Sequence, residues 1–221
     1  MQQSSSSAGL SVDAVLFDLD GTLVDSFSLI AESFTYAVRK VLARDPTPEE
    51  LRREWGAPLR TRAAAVAPGH VDELVAAYEK YYDRLQKDAL RPFPGVRGML
   101  LALRRSGLRL GVVTSKRRER TLTTLRAVAL HSLFDCIVTD DDVPRPKPSP
   151  DPIHRALEQL ATLPPRALMV GDAPFDLMAA RAAGVPTVAA MWGTRDPEKL
   201  LALQPDYVAT EPSDVVAIVL G

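Results

Sequence analysis

Residues 12–23 read Val12-Asp13-Ala14-Val15-Leu16-Phe17-Asp18-Leu19-Asp20-Gly21-Thr22-Leu23. A short, nearly unbroken apolar run gives way at Phe17 to an acidic turn containing a glycine. Such a run is expected of a strand covered on both faces, as in a parallel sheet, rather than of one with a solvated side. Further along the chain, runs of valine, leucine and isoleucine recur at Leu110–Val113, Ile137–Val138, Leu168–Val170 and Thr187–Met191. Between the later ones, Arg97–Arg105, Glu119–Ala129, Pro152–Ala161 and Phe175–Ala183 place apolar residues at spacings of three and four, as helices covering a sheet do. Gly107 and Gly184 follow two of these helices where a left-handed cap is expected. Strand and helix alternate, so the fold class is α/β, a mainly parallel sheet wrapped on both faces.

The stretch from Ser26 to Arg91 breaks this rhythm. It carries no strand pattern and reads as successive helices. Thr47-Pro48-Glu49-Glu50 is a helix start, with a threonine cap, a proline in the first turn and a glutamate three residues after the cap. The domain organisation predicted is a loose tail at residues 1–10, a core built from residues 11–25 and 92–221, and a helical cap at residues 26–91.

Ligands of open parallel sheets bind beyond the carboxyl ends of the strands. Here those ends deliver Asp18 and Asp20, then Thr114-Ser115-Lys116, then Asp140-Asp141-Asp142 with Lys147, then Gly171-Asp172 with Asp176. Each piece alone has an ordinary structural reading: a turn, a helix cap, a solvated lysine. Together they gather carboxylates, hydroxyls and a lysine at one sheet edge, which suits a phosphate and a divalent cation with hard oxygen ligands. Without a cation, Asp18, Asp20 and Asp172 would repel one another. Asp140–Asp142 is read as a solvated loop ahead of a further metal ligand. Lys116 stands in a basic run with Arg117, Arg118 and Arg120 and is read as part of a solvated helix face. His70, His131 and His154 show no metal spacing. No Gly-x-Ser-x-Gly elbow supports an acyl hydrolase.

Through Asp-x-Asp-Gly-Thr at residues 18–22, Thr114-Ser115, Lys147-Pro-x-Pro-Asp-Pro and Gly171-Asp-x-x-x-Asp176, the chain resembles the haloacid dehalogenase superfamily. Val170 to Gly184 and Trp192-Gly193 look most like its phosphoglycolate phosphatases and related pyrophosphatases. The resemblance implies a Rossmann-like core with an inserted cap, and hydrolysis of a small phosphorylated metabolite with Mg2+. It implies that Asp18 attacks phosphorus and that Asp20 is the acid and base. It further implies that Asp18, the backbone carbonyl of Asp20 and Asp172 hold the metal, that Thr114, Ser115 and Lys147 hold the phosphate, and that Asp176 orients Lys147 or a metal-bound water. Asp20 itself favours phosphoryl transfer over dehalogenation. The alternatives are an inorganic pyrophosphatase, a sugar-phosphate mutase or a phospholigand-binding protein without turnover. Within Trp55-Gly56-Ala57-Pro58-Leu59-Arg60, Gly56 and Arg60 are candidates for substrate selection, with Arg62 beside them.

Of the 221 residues 46% are apolar and 25% charged, ordinary for a globular chain, and the formal net charge of −1 offers no broad attraction to nucleic acid or anionic membrane. One cysteine, Cys136, excludes an internal disulfide and reads as a small core residue. No stretch approaches the roughly 18 apolar residues of a membrane span, and the serine-rich start lacks the pattern of a signal peptide, so a cytoplasmic location is expected.

Overall fold

The computed structural model describes residues 11–52 and 56–221. The expected tail at residues 1–10 and Trp55 lie outside the described residues. In chain order the elements are β1 (Ala14–Phe17), β2 (Val24–Asp25), α1 (Phe27–Leu42), α2 (Pro48–Arg52), α3 (Leu59–Val66), α4 (Val71–Ala89) and β3 (Arg91–Pro92). There follow α5 (Val96–Arg105), β4 (Arg109–Val113), α6 (Arg118–Ala127), β5 (Cys136–Val138), α7 (Asp151–Gln159), β6 (Ala167–Gly171) and α8 (Pro174–Ala182). The chain ends in β7 (Thr187–Ala190), α9 (Pro197–Ala202), β8 (Tyr207–Ala209) and α10 (Pro212–Leu220).

Six strands form one sheet in the order β5-β4-β1-β6-β7-β8, and every neighbouring pair is parallel. β1 lies near the middle, and all four of its residues are fully buried, which is why its sequence shows no polar alternation. Alternate residues still face opposite ways. Val15 and Phe17 join one core with Met99, Leu100 and Leu103 of α5, Leu125 of α6 and Val215 of α10. Ala14 and Leu16 join another with Ile153, Ala156 and Leu157 of α7 and Ala179 and Ala180 of α8. The α/β expectation therefore holds, with helices on both faces of a parallel sheet.

Cys136 is buried in the second core, and burial pushes its thiol up to about 12, consistent with a packing role. Gly107 and Gly184 both have positive φ, at 83° and 72°, after their helices. No helix among the described residues is long and apolar enough to cross a membrane.

The segment between β2 and β3 is helical, and its α1 and α4 pack along one another through Leu29, Phe34, Ala37, Leu74, Tyr78 and Tyr82. One detail departs from the sequence expectation. Arg91 lies in a strand: Arg91–Pro92 pairs antiparallel with Val24–Asp25, so the two chain passes at the root of the helical segment form a small ladder.

α2 begins as the capping pattern predicts. The Glu50 N–H donates to Thr47 Oγ1 (3.1 Å), and the Thr47 N–H donates to Glu50 Oε2 (2.8 Å). Hydrogen bonds from Arg44, together with that backbone donor, hold the Glu50 carboxyl down at about 2. Thr47→Ala removes half of this reciprocal cap and is expected to cost about 1 kcal/mol. A urea unfolding curve checks it; a midpoint equal to that of the wild type would mean that α2 frays before the cooperative transition.

Candidate active site

β1 and β4 stop at the same edge of the sheet, and the ladder continues one step past each. The Asp18 N–H donates to Val170 O (3.0 Å), and the Thr114 N–H donates to Val138 O (3.0 Å). Both candidate residues thus stand on anchored backbone. The turn after Asp18 closes on itself through donation from the Leu23 and Val24 N–H groups to Leu19 O. At its tip Gly21 has φ +89°, and a Cβ there would lie 2.2 Å from Asp172 Oδ2. Only glycine allows both the left-handed backbone and the approach of that carboxylate. Trp192 Nε1 donates to Thr22 O (2.9 Å), and Gly193 packs its Cα against Gly21 O, so the loop after β7 seals the turn from behind.

Lys147 lies in the proline-rich loop before α7, and its ammonium is buried. It donates to Asp18 Oδ1 (2.8 Å), Asp176 Oδ1 (2.5 Å) and Val113 O (3.1 Å), which satisfies all three of its protons. Asp176 is held at both oxygens, since its Oδ2 accepts from the Ala173 N–H (3.0 Å) at the start of α8. Asp172 accepts from Thr22 Oγ1 (2.9 Å). Burial is the largest influence on Asp18 and pushes its carboxyl above the carboxylate range; Lys147 opposes the rise, while Asp176 and Asp20 add to it. Burial alone would pull the Lys147 ammonium down, but Asp176 and Asp18 outweigh it and hold it above its ordinary value. The ammonium is thus firmly charged and shared between two carboxylates.

Asp18, Asp172 and Asp176 offer one oxygen each within 4.8 Å of one another. A buried set of hard carboxylate oxygens with more negative charge than Lys147 can neutralise fits a divalent cation.

In front of Asp18 is a cavity of about 370 Å³, roofed by residues of α3 and α4 and lined among others by Asp20, Ser115, Lys116, Arg62 and Tyr78. Ser115 Oγ is buried with no hydrogen-bond partner among the described residues. Thr114 Oγ1 accepts from the Lys116 N–H (3.2 Å), which shapes this loop. Gly56 (φ +86°) brings its backbone to the core side: a Cβ there would lie 2.5 Å from that of Ala173. Arg60 lines the same cavity, yet its side chain is 65% exposed and paired with Asp72 at 2.8 Å. Arg62 is buried, donates to Leu51 O (3.2 Å) and lies over the Phe34 ring.

Asp140–Asp142 form a turn in which Asp141 and Asp142 serve local structure, while Asp140 and Asp141 also line the cavity. Asp141 accepts from the Arg118 N–H (2.7 Å) at the start of α6, and Asp142 takes Thr139 and the Arg118 guanidinium. His70 caps α4, His131 lies in a single turn before β5 and His154 lies on α7, far apart in the chain order of the elements.

Lys116 contradicts its sequence reading. α6 begins only at Arg118, so Lys116 belongs to the loop before it. Its ammonium reaches inward to Asp20 Oδ1 (2.8 Å) and to the hydroxyl of Tyr82 on α4 (2.7 Å). Thr22 stands in the Asp-x-Asp-Gly-Thr motif with no role of its own assigned there, and nothing in the sequence marks Tyr82, because each acquires its role from a partner distant in the chain.

Residues 15–190 match the haloacid dehalogenase-like hydrolases. The chain belongs to that family. Among relatives of this hydrolase, pyrophosphatase PpaX of Anoxybacillus flavithermus is 35% identical over 210 residues, covering 95% of this chain and 97% of its own. A haloacid dehalogenase-like family hydrolase from Streptococcus pneumoniae superposes with a TM-score of 0.84 at 32% identity, covering 94% of this chain and 98% of its own. A predicted phosphoglycolate phosphatase from Haemophilus somnus does so at 0.84 and 27%, with the same coverage.

Proposed function

We propose that this hydrolase is a Mg2+-dependent phosphatase that transfers the phosphoryl group of a small, phosphoglycolate-like monoester to Asp18 and then to water. The observation that carries the reading is the pairing of Asp18 with Lys147 at the floor of the cavity (2.8 Å), with the Asp20 carboxyl facing the same space. Lys147 holds Asp18 Oδ1, leaving Oδ2 to attack phosphorus. As the ester P–O bond breaks, Asp20 gives a proton to the leaving oxygen. It then takes a proton from the water that attacks the aspartyl phosphate, releasing inorganic phosphate and restoring the Asp18 carboxylate. Thr114, the Ser115 N–H and Lys147 hold the phosphate oxygens. Asp176 keeps Lys147 in place. Asp18, Asp172 and the backbone carbonyl of Asp20 are the groups that would hold Mg2+, which when bound neutralises charge on the transferring group. In this reading residues 26–91 act as a cap over a core of residues 11–25 and 92–221, excluding water and contacting the leaving group.

Pyrophosphate is the second reading, favoured by the 35% identity to a named pyrophosphatase along nearly the whole chain. The cavity wall contributes Arg60 and Arg62, cations suited to an anionic leaving group of either kind. The test is hydrolysis of a panel holding phosphoglycolate, sugar phosphates and pyrophosphate, with Mg2+ and with chelator. A preference of tenfold or more in kcat/KM, lost with chelator, is expected for one of the first and last. Turnover on no member by a folded protein would instead support a binding protein, and interconversion of sugar phosphates a mutase. Within the same panel Arg60→Ala is expected to weaken the anionic leaving groups most; equal kcat/KM on every member would remove Arg60 from substrate selection.

A further inference from the structure

The Lys116 ammonium is enclosed, its side chain 10% exposed, and it joins two parts of the molecule that the chain connects only at the β2–β3 ladder. On the sheet side it holds Asp20, itself 17% exposed, and at the longer distance of 3.5 Å Thr124 Oγ1 of α6; on the helical side it holds the Tyr82 hydroxyl (2.7 Å), with the Tyr82 ring 4.8 Å from the charge. One turn along, Arg120 of α6 makes a second crossing to α4. Its guanidinium donates to both oxygens of Asp83 (2.7 and 2.9 Å) and to Glu79 Oε1 (2.7 Å). The seam between α6 and α4 beside the cavity is therefore held by charged hydrogen bonds, which water can replace one for one when the seam opens.

We propose that Lys116 is a positioning residue, orienting Asp20 for proton donation and doing so only while α4 is seated, because Tyr82 supplies the second anchor of its ammonium. The inference rests on the phosphatase reading above. Holding Oδ1 fixes the rotation of the Asp20 carboxyl and leaves Oδ2 to carry the proton. When that proton passes to the leaving oxygen as the P–O bond breaks, the new carboxylate charge is met by an ammonium already in place. Proton donation then creates no lone anion in an enclosed site. With α4 unseated, Lys116 loses the Tyr82 hydroxyl and the enclosure together, so cavity closure and acid competence become one event.

The experiment is a series of aryl phosphates from dinitrophenyl phosphate, whose leaving group needs no proton, to phenyl phosphate, whose leaving group does. kcat/KM is measured with Mg2+ for wild type, Lys116→Met and Tyr82→Phe, because it reports only the steps up to leaving-group departure. Lys116→Met is expected to lose about a hundredfold on phenyl phosphate and less than about threefold on dinitrophenyl phosphate, the span attributable to general acid assistance. Tyr82→Phe, which keeps the ring and its packing, should steepen the series in the same direction to a smaller degree. It carries the test if Lys116→Met does not fold. Equal losses along the series would show a structural or substrate-charge role and overturn the inference while the phosphatase reading stands. A wild type that hydrolyses none of these esters in the presence of Mg2+ would overturn both.

Discussion

Asp18→Asn should remove turnover, lowering kcat by about ten-thousandfold or more, while the chain still folds. The amide is nearly isosteric with the carboxylate it replaces, and its oxygen can still accept from Lys147, now paired in charge with Asp176 alone. The substitution also removes a carboxylate that burial disfavours, so the loss is one of nucleophile and not of structure. Rapid quenching into acid followed by mass spectrometry should find a phosphorylated wild-type chain and none in the variant. A variant that keeps a tenth of wild-type kcat would remove Asp18 from its role as nucleophile.

Lys147→Met should cost both stability and activity. It deprives Asp18, Asp176 and Val113 O of one shared donor and leaves two buried carboxylates facing each other. Removing one partner of a buried ionic set typically costs about 3–5 kcal/mol. Losing the cation that holds Asp18 and the phosphate should lower kcat by about a hundredfold to a thousandfold. Urea unfolding in chelator reads the first effect, and the metal-loaded assay reads the second. Adding Asp176→Asn to the same chain should return part of the stability without returning activity, since it relieves the repulsion and supplies an amide donor but restores no cation.

The pH response of this variant has a definite sign. Burial already holds the Asp18 carboxyl above its ordinary value in the native state. Between the unfolded and the raised native value the folded chain binds more protons, so stability falls as pH rises through that interval. Lys147 is the strongest influence opposing the rise, and without it the interval widens. Lys147→Met in chelator should therefore gain more stability than the wild type on acidification from about pH 7 to about pH 5. An equal response in both proteins would mean that Lys147 does not set the charge of Asp18.

The core of the fold was legible because its central strands are buried on both faces, and apolar runs such as Val15–Phe17 and Leu168–Val170 admit few other readings. The strand ends were legible for the same reason, since the first polar residue after each run marks the sheet edge. The last third was less so. β8 carries Tyr207 and the half-exposed Val208 at the sheet margin, and α9 has too few residues to show a period. Lys116 was misread because charge clustering in sequence suggested a common solvated face. Its partners stand 96 and 34 residues away, a relation that no local pattern encodes. Thr22 is similar: its hydroxyl serves Asp172, 150 residues on. Arg60 and Arg62, two positions apart on α3, are separated by burial alone, which depends on how α3 meets α1 and α2.

The antiparallel pairing of Val24–Asp25 with Arg91–Pro92 has a mechanical side. Two independent tethers would let helices α1–α4 swing and twist separately over the sheet. Two tethers laced together act as a single strap, which flexes across its width far more readily than it shears along its length. Any rise of the helices would then follow one arc, and each return would bring Tyr82 back to the same lysine. A hinge of this kind trades freedom of approach for repeatability, and its Val24 end is bridged directly to Asp20, so the strap and the acidic turn are one piece of backbone.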